Sequence, residues 1–170
     1  GYMLKEYLAE EKYEELKESN DMIYKALELA TILFENDNDK GGFPYLFHLM
    51  NVYKNVNKED EKVVALLHDI IEDKDVTDSD LIEIGFPKKI VDDVVILTRD
   101  KTTDYSIYID NLLRNGSSEA LNVKLADIIN NMDMKRIKNP SITDYERLEK
   151  RYQPAYEKIL NKINEMNKGE

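Results

Sequence analysis

Apolar residues recur at intervals of three and four along most of this sequence, which is the spacing of one face of an α-helix. In segment 22–34, for example, Ile23, Ala26 and Ala30 fall on one side. The chain of 170 residues contains only 6 glycines and 4 prolines, so long stretches hold no residue that would interrupt a helix. These features together predict an all-α fold.

The sequence predicts helices joined by short polar loops. Their expected ranges are 2–18, 22–34, 45–56, 58–71, a short helix ending near 85, 87–97, 104–114, 120–134 and 144–165. Thr143 and Glu146 have the spacing of a capping box and predict where the last helix begins. With 42% hydrophobic and 35% charged residues, the chain has a globular composition.

The length suits a single domain with a substantial core. We expect one domain over residues 1–170, with its core at about 22–136 and a C-terminal helix at about 144–165. The chain contains no internal repeat and no low-complexity segment that would mark a boundary.

The net charge of −11 argues against binding to DNA or RNA, because proteins that bind nucleic acids carry a basic surface. A phosphate site would therefore need its positive charge locally, from a metal ion and a few basic side chains.

No apolar run is long enough to span a membrane, and no signal-peptide pattern is found. The absence of cysteine is compatible with a reducing compartment. We expect a cytoplasmic protein without nucleic-acid or membrane partners; the oligomeric state stays open.

Both histidines of the chain lie inside apolar helical segments, and two aspartates share this setting. They are His48 in PYLFHLMNV, His68 and Asp69 in ALLHDIIED, and Asp127 in KLADIINNM. A buried carboxylate without a partner is costly, so a bound cation is the expected partner. Two imidazoles and two carboxylates suit a borderline divalent ion such as Mn²⁺, Fe²⁺ or Zn²⁺. We therefore predict one metal ion held by these four side chains from three helices.

Glu72 and Asp73 follow the His-Asp pair and are not needed as ligands. An ion with four protein ligands keeps positions for water and substrate, and it can activate that water. Glu72 and Asp73 are thus candidates for acid–base catalysis, although a solvated helix end would also explain them.

Two other classes of protein remain as alternatives: a metal-binding module that has lost catalysis, and a helical interaction protein that uses its acidic surface. Metal analysis of the purified protein would separate them.

At the level of motifs, the H…HD…D pattern resembles the HD-domain metal-dependent phosphohydrolases. The segments GFPYLFH, ALLHDIIED with VT after it, LTRDKTTDY and VKLADIINNM are similar, more specifically, to the hydrolase domain of alarmone (ppGpp) synthetase–hydrolases of the Rel/SpoT type. The small stand-alone hydrolases, which lack the synthetase domain, are the nearest likeness. The resemblance extends from about Met22 to Arg136.

The resemblance implies an all-α HD-domain helical bundle and a Mn²⁺-type ion, with Fe²⁺, Zn²⁺ or Mg²⁺ as alternatives. It implies that Glu72 and Asp73 orient or deprotonate the attacking water. The implied substrate is a phosphorylated nucleotide, from which the 3′-pyrophosphate of guanosine tetra- or pentaphosphate is removed. The residues implied to bind this substrate are Lys40 at a phosphate, Asn131 at the ribose, and Lys101 and Tyr105 in the LTRDKTTDY segment.

Two positions depart from the family pattern. Asp39 stands where the family has an arginine that stacks on the guanine base, and Gly41 stands where it has a serine. An aspartate cannot provide the planar cation that stacks on a base. The alternatives are therefore an HD phosphohydrolase for another nucleotide or phosphorylated metabolite, or a catalytically silent metal- or nucleotide-binding module.

Overall fold

The structure is a computed structural model that describes residues 2–169, and the regular elements among those residues are helical. In chain order they are α1 (Tyr2–Tyr7), α2 (Glu10–Glu18), α3 (Met22–Leu33), α4 (Tyr45–Lys54), α5 (Glu59–Leu67), α6 (Ile70–Asp73), α7 (Asp78–Glu83), α8 (Lys88–Leu97), α9 (Tyr105–Asn115), α10 (Ser118–Met132), a 3₁₀ turn (Met134–Arg136), α11 (Ile142–Arg147), a π-helical segment (Leu148–Tyr152) and α12 (Gln153–Lys168). An isolated antiparallel bridge joins Asn38 to Pro44. The predicted all-α class is confirmed.

Helix α5 forms the centre of the core. Its first turn is acidic, and every residue from Val63 to Leu67 is fully buried. Helices α3, α4, α8 and α10 pack around it, and α12 covers α10 from outside. Burying each large apolar side chain contributes about 1.5–3 kcal/mol, so this apolar run accounts for the central position of α5. The C-terminal end of α5 consequently lies deep inside the protein, where His68 follows it.

Two predicted helices are divided in the structure. The range 2–18 is interrupted at Ala9, whose backbone is extended (φ −59°, ψ 147°), so α1 and α2 are separate helices. The range 58–71 is interrupted at His68 and Asp69, where the chain turns before α6 begins. Asp69 has φ −102° and ψ 0°, outside helical geometry. In a continuous helix, the side chains of His68 and Asp69 would point about 100° apart around the helix axis, and this turn changes their directions.

The last helical region begins earlier than predicted and is not uniform. The capping box lies at Ser141 and Asp144 rather than at Thr143 and Glu146: the Asp144 carboxylate accepts from Ser141 N at 2.8 Å, and Asp144 N donates to Ser141 Oγ at 3.2 Å. The capping side chain must precede the first helical residue, and Ser141 does so. A π-helical turn then separates α11 from α12, which continues to Lys168. Such turns are frequent at functional sites.

The single domain predicted for residues 1–170 stays a prediction, and Gly1 and Glu170 lie outside the described residues. Within the described part of the chain, no helix combines the length and the apolar character needed to cross a membrane.

Lys25 connects three helices from inside the protein. Its side chain on α3 is 1% exposed, and its ammonium group donates to Ile84 O at 2.8 Å and to Lys17 O at 3.5 Å. Both carbonyls lie at helix C-terminal ends, where a cation is favourable. Burial lowers the pKa of Lys25. Gly85, at φ +109°, leaves room for this ammonium group, because a Cβ there would contact Lys25 Nζ.

Gly85→Ala is expected to destabilise the protein more than Gly42→Ala. Both glycines have positive φ, so each substitution adds backbone strain of about 1–2 kcal/mol. At Gly42 (φ +83°) the new methyl group meets nothing within 4 Å, whereas at Gly85 it also displaces Lys25. Urea unfolding of both variants measures the difference. Equal losses of unfolding free energy would show that the Lys25 contact contributes nothing.

Candidate active site

The four side chains predicted as metal ligands come together at the buried end of α5. His48 lies on α4, His68 and Asp69 lie in the turn between α5 and α6, and Asp127 lies on α10. Asp127 Oδ1 is 2.9 Å from His48 Nε2 and 3.4 Å from His68 Nε2. Asp69 Oδ2 is 3.1 Å from His68 Nε2. One ligand atom from each of His48, His68 and Asp69 lies within 4.8 Å of the others. Their action as ligands stays a prediction.

Hydrogen bonds on the far side of each ring turn both Nε2 atoms toward this cluster. His68 Nδ1 lies 2.6 Å from Ala65 O, and His48 Nδ1 lies 2.6 Å from Asn130 Oδ1. A carbonyl oxygen can only accept, so His68 Nδ1 carries the hydrogen. In the neutral imidazole, Nε2 then has a free lone pair toward the centre, as a metal-binding histidine requires. Sequence reasoning missed Asn130, because an asparagine next to Asn131 carries no signal of its own.

The residues present fit a divalent cation. His68 Nε2 is buried and has no hydrogen-bond partner, although Asp69 is close to it. A buried polar atom left unpaired is unfavourable, and a cation would satisfy it. The nitrogen and oxygen donors are those of borderline divalent ions. The Asp69 carboxylate also accepts a hydrogen bond from the Tyr45 hydroxyl, which holds its orientation.

Without a cation, the cluster is held together by ion pairing. Burial acts to lower the pKa of His48, but the hydrogen bond and the charge of Asp127 outweigh it and raise that pKa. Burial also acts to lower the pKa of His68, but the charge of Asp69 and the nearby carboxylate of Asp127 outweigh it and raise that pKa well above its usual range. Burial opposes ionisation of Asp127, yet the Lys124 ammonium, 3.0 Å away, and the two histidines hold the Asp127 pKa well below its usual range.

The two predicted catalytic carboxylates follow on α6 and line the same cavity. Glu72 Oε1 accepts a hydrogen bond from Arg99 N at 2.8 Å, which fixes this side chain. Burial, and then the charges of Asp69 and Glu72, raise the pKa of Asp73 to about 6. A carboxylate with a pKa near neutral is suited to accept a proton from water.

The cavity above the cluster has a volume of about 320 Å³, which is enough for a small ligand. Its walls carry charges of both signs. The basic residues that line it are Lys40, Arg99, Lys124, Arg136, Arg147 and Arg151, and the acidic ones are Asp39, Asp69, Glu72, Asp73, Asp127 and Asp144. Sequence reasoning named only Lys40 among these cations. Arg147 and Arg151 have helical i, i+4 spacing, but nothing in the sequence shows which way that face points.

Three of the four residues predicted to bind substrate line the cavity. Lys40 Nζ lies 3.6 Å from Asp144, and Asn131 Nδ2 donates to Asp127 Oδ1 at 3.3 Å. Tyr105 lies at the wall with three cations around its ring, Arg99, Lys124 and Arg151, at 6.0, 5.8 and 5.5 Å from its centroid. Lys101 is exposed in the loop before α9 and is not among the residues that line the cavity.

The two departures from the family pattern belong to one local structure. Asp39 Oδ1 accepts hydrogen bonds from Gly41 N at 2.8 Å and Phe43 N at 3.0 Å, and Asp39 Oδ2 lies 4.0 Å from the Arg136 guanidinium. Asp39 therefore closes the turn that carries Lys40. At Gly41, a Cβ would contact Arg136 O, so a serine does not fit this turn without a shift.

Asp127→Ala is expected to abolish tight Mn²⁺ binding, because it removes an oxygen close to both histidines. Isothermal titration calorimetry with Mn²⁺ measures the affinity. The matched control is Asp110→Ala on α9, where the side chain is half exposed and remote from the cavity, and it should bind like the parent protein. Unchanged affinity in Asp127→Ala would exclude Asp127 as a ligand.

Metal binding is expected to release protons and to weaken as the pH falls. The pKa values of His48 and His68 are raised in the metal-free site, so both rings hold a proton at pH values where a free imidazole is neutral. A cation must displace these protons, so affinity is highest above the raised pKa values and is lost as the pH drops through them. Calorimetry in buffers of different ionisation enthalpy counts the protons. Binding without proton release would contradict the assignment of both histidines as ligands.

Comparison of the sequence with family models and with curated proteins gives no match. Among solved structures, the chain is similar to a metazoan ortholog of SpoT that hydrolyses ppGpp and plays a role in starvation responses. The two share 24% sequence identity with a TM-score of 0.70, and the match covers 85% of this chain and 86% of the other. At this identity the likeness concerns the fold. The predicted all-α HD-domain fold is thereby confirmed: this chain has the fold of that ppGpp hydrolase.

Proposed function

We propose that this protein is a metal-dependent phosphohydrolase acting on a nucleotide. Guanosine 3′,5′-bis(diphosphate) is the first candidate substrate, with release of its 3′-pyrophosphate. The observation that supports the proposal is the cluster of two imidazoles and two aspartates beside a cavity whose lining includes six basic side chains. The solved structure with the same fold belongs to a protein that hydrolyses ppGpp, which supports this substrate. The proposed ion is Mn²⁺, and the proposed location is the cytoplasm.

The charges of the cavity suit a phosphorylated substrate. The protein as a whole carries a net charge of −11, yet basic side chains line its cavity, among them Lys124 on α10, Arg136 in the 3₁₀ turn, and Arg147 and Arg151 in the last helical region. A divalent ion would neutralise Asp69 and Asp127, so the six basic side chains of the lining would face four acidic ones, and the excess of positive charge would balance an anionic ligand. Guanidinium groups bind phosphate through paired hydrogen bonds. The local basic surface predicted as a requirement for a phosphate site is thus present.

In the proposed reaction, a water molecule attacks the 3′-phosphorus and its proton passes to a carboxylate. The bond from phosphorus to the ribose 3′-oxygen breaks, that oxygen takes a proton, and pyrophosphate leaves. A bound divalent ion would polarise the phosphoryl oxygens and make water more acidic. Glu72, fixed by Arg99 N, and Asp73, with its pKa of about 6, are the proposed pair of carboxylates that orients the water and accepts its proton.

Phosphate or pyrophosphate release is measured with Mn²⁺ on ppGpp, ordinary nucleotides, NADPH and sugar phosphates. Turnover of ppGpp above the others supports the first candidate. A preference for another compound would support the second candidate, an HD phosphohydrolase for a different nucleotide or metabolite, which the aspartate at position 39 favours. Metal binding without turnover of any compound would indicate a silent binding module. Asp127→Ala serves as the inactive control.

Glu72→Gln is expected to lower turnover by about 100-fold or more while metal binding persists, the scale usual for an acid–base group. Glutamine keeps an oxygen that can accept from Arg99 N, so the local structure is retained. Initial rates on the best substrate of the screen and Mn²⁺ titrations provide the two readings. Glu157→Gln, exposed on α12, is the matched control. Equal turnover in Glu72→Gln and the parent would exclude Glu72 from proton transfer.

A further inference from the structure

We propose that Asn130 is a positioning residue of the metal site, which holds the His48 ring with Nε2 toward the ion. This inference rests on the proposed metal-dependent function and extends it to a residue that does not touch the ion. The Asn130 side-chain oxygen lies 2.6 Å from His48 Nδ1. Metal-binding histidines commonly donate this second N–H to an acceptor, which fixes the ring and its tautomer.

The position of Asn130 follows from the register of α10. Asp127, Asn130 and Asn131 lie three and four residues apart, so they share one face of the helix. Asp127 Oδ1 lies 2.9 Å from one nitrogen of the His48 ring, and Asn130 Oδ1 lies 2.6 Å from the other. One helix therefore supplies both a candidate ligand and the support for a neighbouring ligand on α4.

Asn130 is itself held in place. Its backbone oxygen accepts a hydrogen bond from Arg136 Nε at 3.3 Å, which ties it to the 3₁₀ turn. The His48 ring is 6% exposed, with the Tyr45 ring 5.5 Å and the His68 ring 5.6 Å from it. Because there is so little free space around the ring, it can differ only in which of its nitrogens faces the cluster. The hydrogen bond between Nδ1 and the Asn130 side-chain oxygen favours the orientation in which Nε2 does so.

The two histidines differ in how they are supported. His68 Nδ1 bonds to the backbone oxygen of Ala65, which no substitution removes. His48 Nδ1 bonds to a side chain that can be replaced. An amide oxygen facing Nδ1 leaves the Nε2 lone pair for the ion, because Nδ1 then carries the hydrogen. The amide is also neutral, so it orients the ring without adding a third negative charge to Asp69 and Asp127.

The test compares Mn²⁺ affinity by calorimetry in the parent, Asn130→Leu and Asn130→Asp, with the thermal midpoint of each metal-free protein measured in parallel. Leucine keeps the approximate size and removes the acceptor, so the dissociation constant should rise by about 10- to 100-fold. Aspartate keeps an oxygen acceptor and should restore binding close to that of the parent. Asn161→Leu, exposed on α12, controls for the substitution itself.

Equal affinity in Asn130→Leu and the parent would overturn the inference while leaving the metal site standing. Weak binding in Asn130→Asp, equal to that of Asn130→Leu, would also overturn it, because the acceptor would then not be what matters. If Asn130→Leu does not fold, Asn130→Ala takes its place in the same comparison. A parent protein that binds no Mn²⁺ would overturn the proposed function and this inference together.

Discussion

Charge pairing at the buried end of α5 is the constraint on which the rest of this structure depends. His48, His68 and Asp127 are buried and Asp69 is partly buried, because each lies within an apolar stretch of the sequence that packs into the core. Buried carboxylates are tolerated only with a cationic partner, which protonated imidazoles, Lys124 or a metal ion can provide. The break between α5 and α6 serves this pairing, because it lets two adjacent side chains face the same point.

A second set of hydrogen bonds surrounds this cluster and fixes the orientation of its side chains. Ala65 O and Asn130 face the outer nitrogens of the two histidines, the Tyr45 hydroxyl binds Asp69, and Arg99 N binds Glu72. Ala65 precedes His68 by three residues, whereas the other supporting groups lie at least 24 residues from the side chains they hold. They hold the side chains of the candidate site in fixed orientations, with the inner nitrogen atoms of both histidines directed at the cluster, as the proposed metal-dependent hydrolysis would require.

In the turn that contains Lys40, the two residues that depart from the family pattern, Asp39 and Gly41, have roles in the structure of the turn itself. Asp39 bonds to two backbone N–H groups of its own turn, and Gly41 packs against the carbonyl of Arg136. An arginine at position 39 would lose those bonds, so the aspartate here closes the turn as well as placing a negative charge at the cavity wall. The guanidinium of Arg136 lies beside it and supplies a cation at the cavity wall.

The sequence by itself determined the helical class, most helix ranges and the residues that meet at the candidate site. Helical periodicity reports which face of a helix is apolar, and ionisable residues within that face stand out, as His48 and Asp127 did. Only the tertiary structure decided the break at His68 and Asp69, the contact between His48 and Asn130, and the basic wall formed by Arg147 and Arg151. These features depend on how the helices are rotated and placed against one another, and a pattern along one chain contains no distance between segments far apart in sequence.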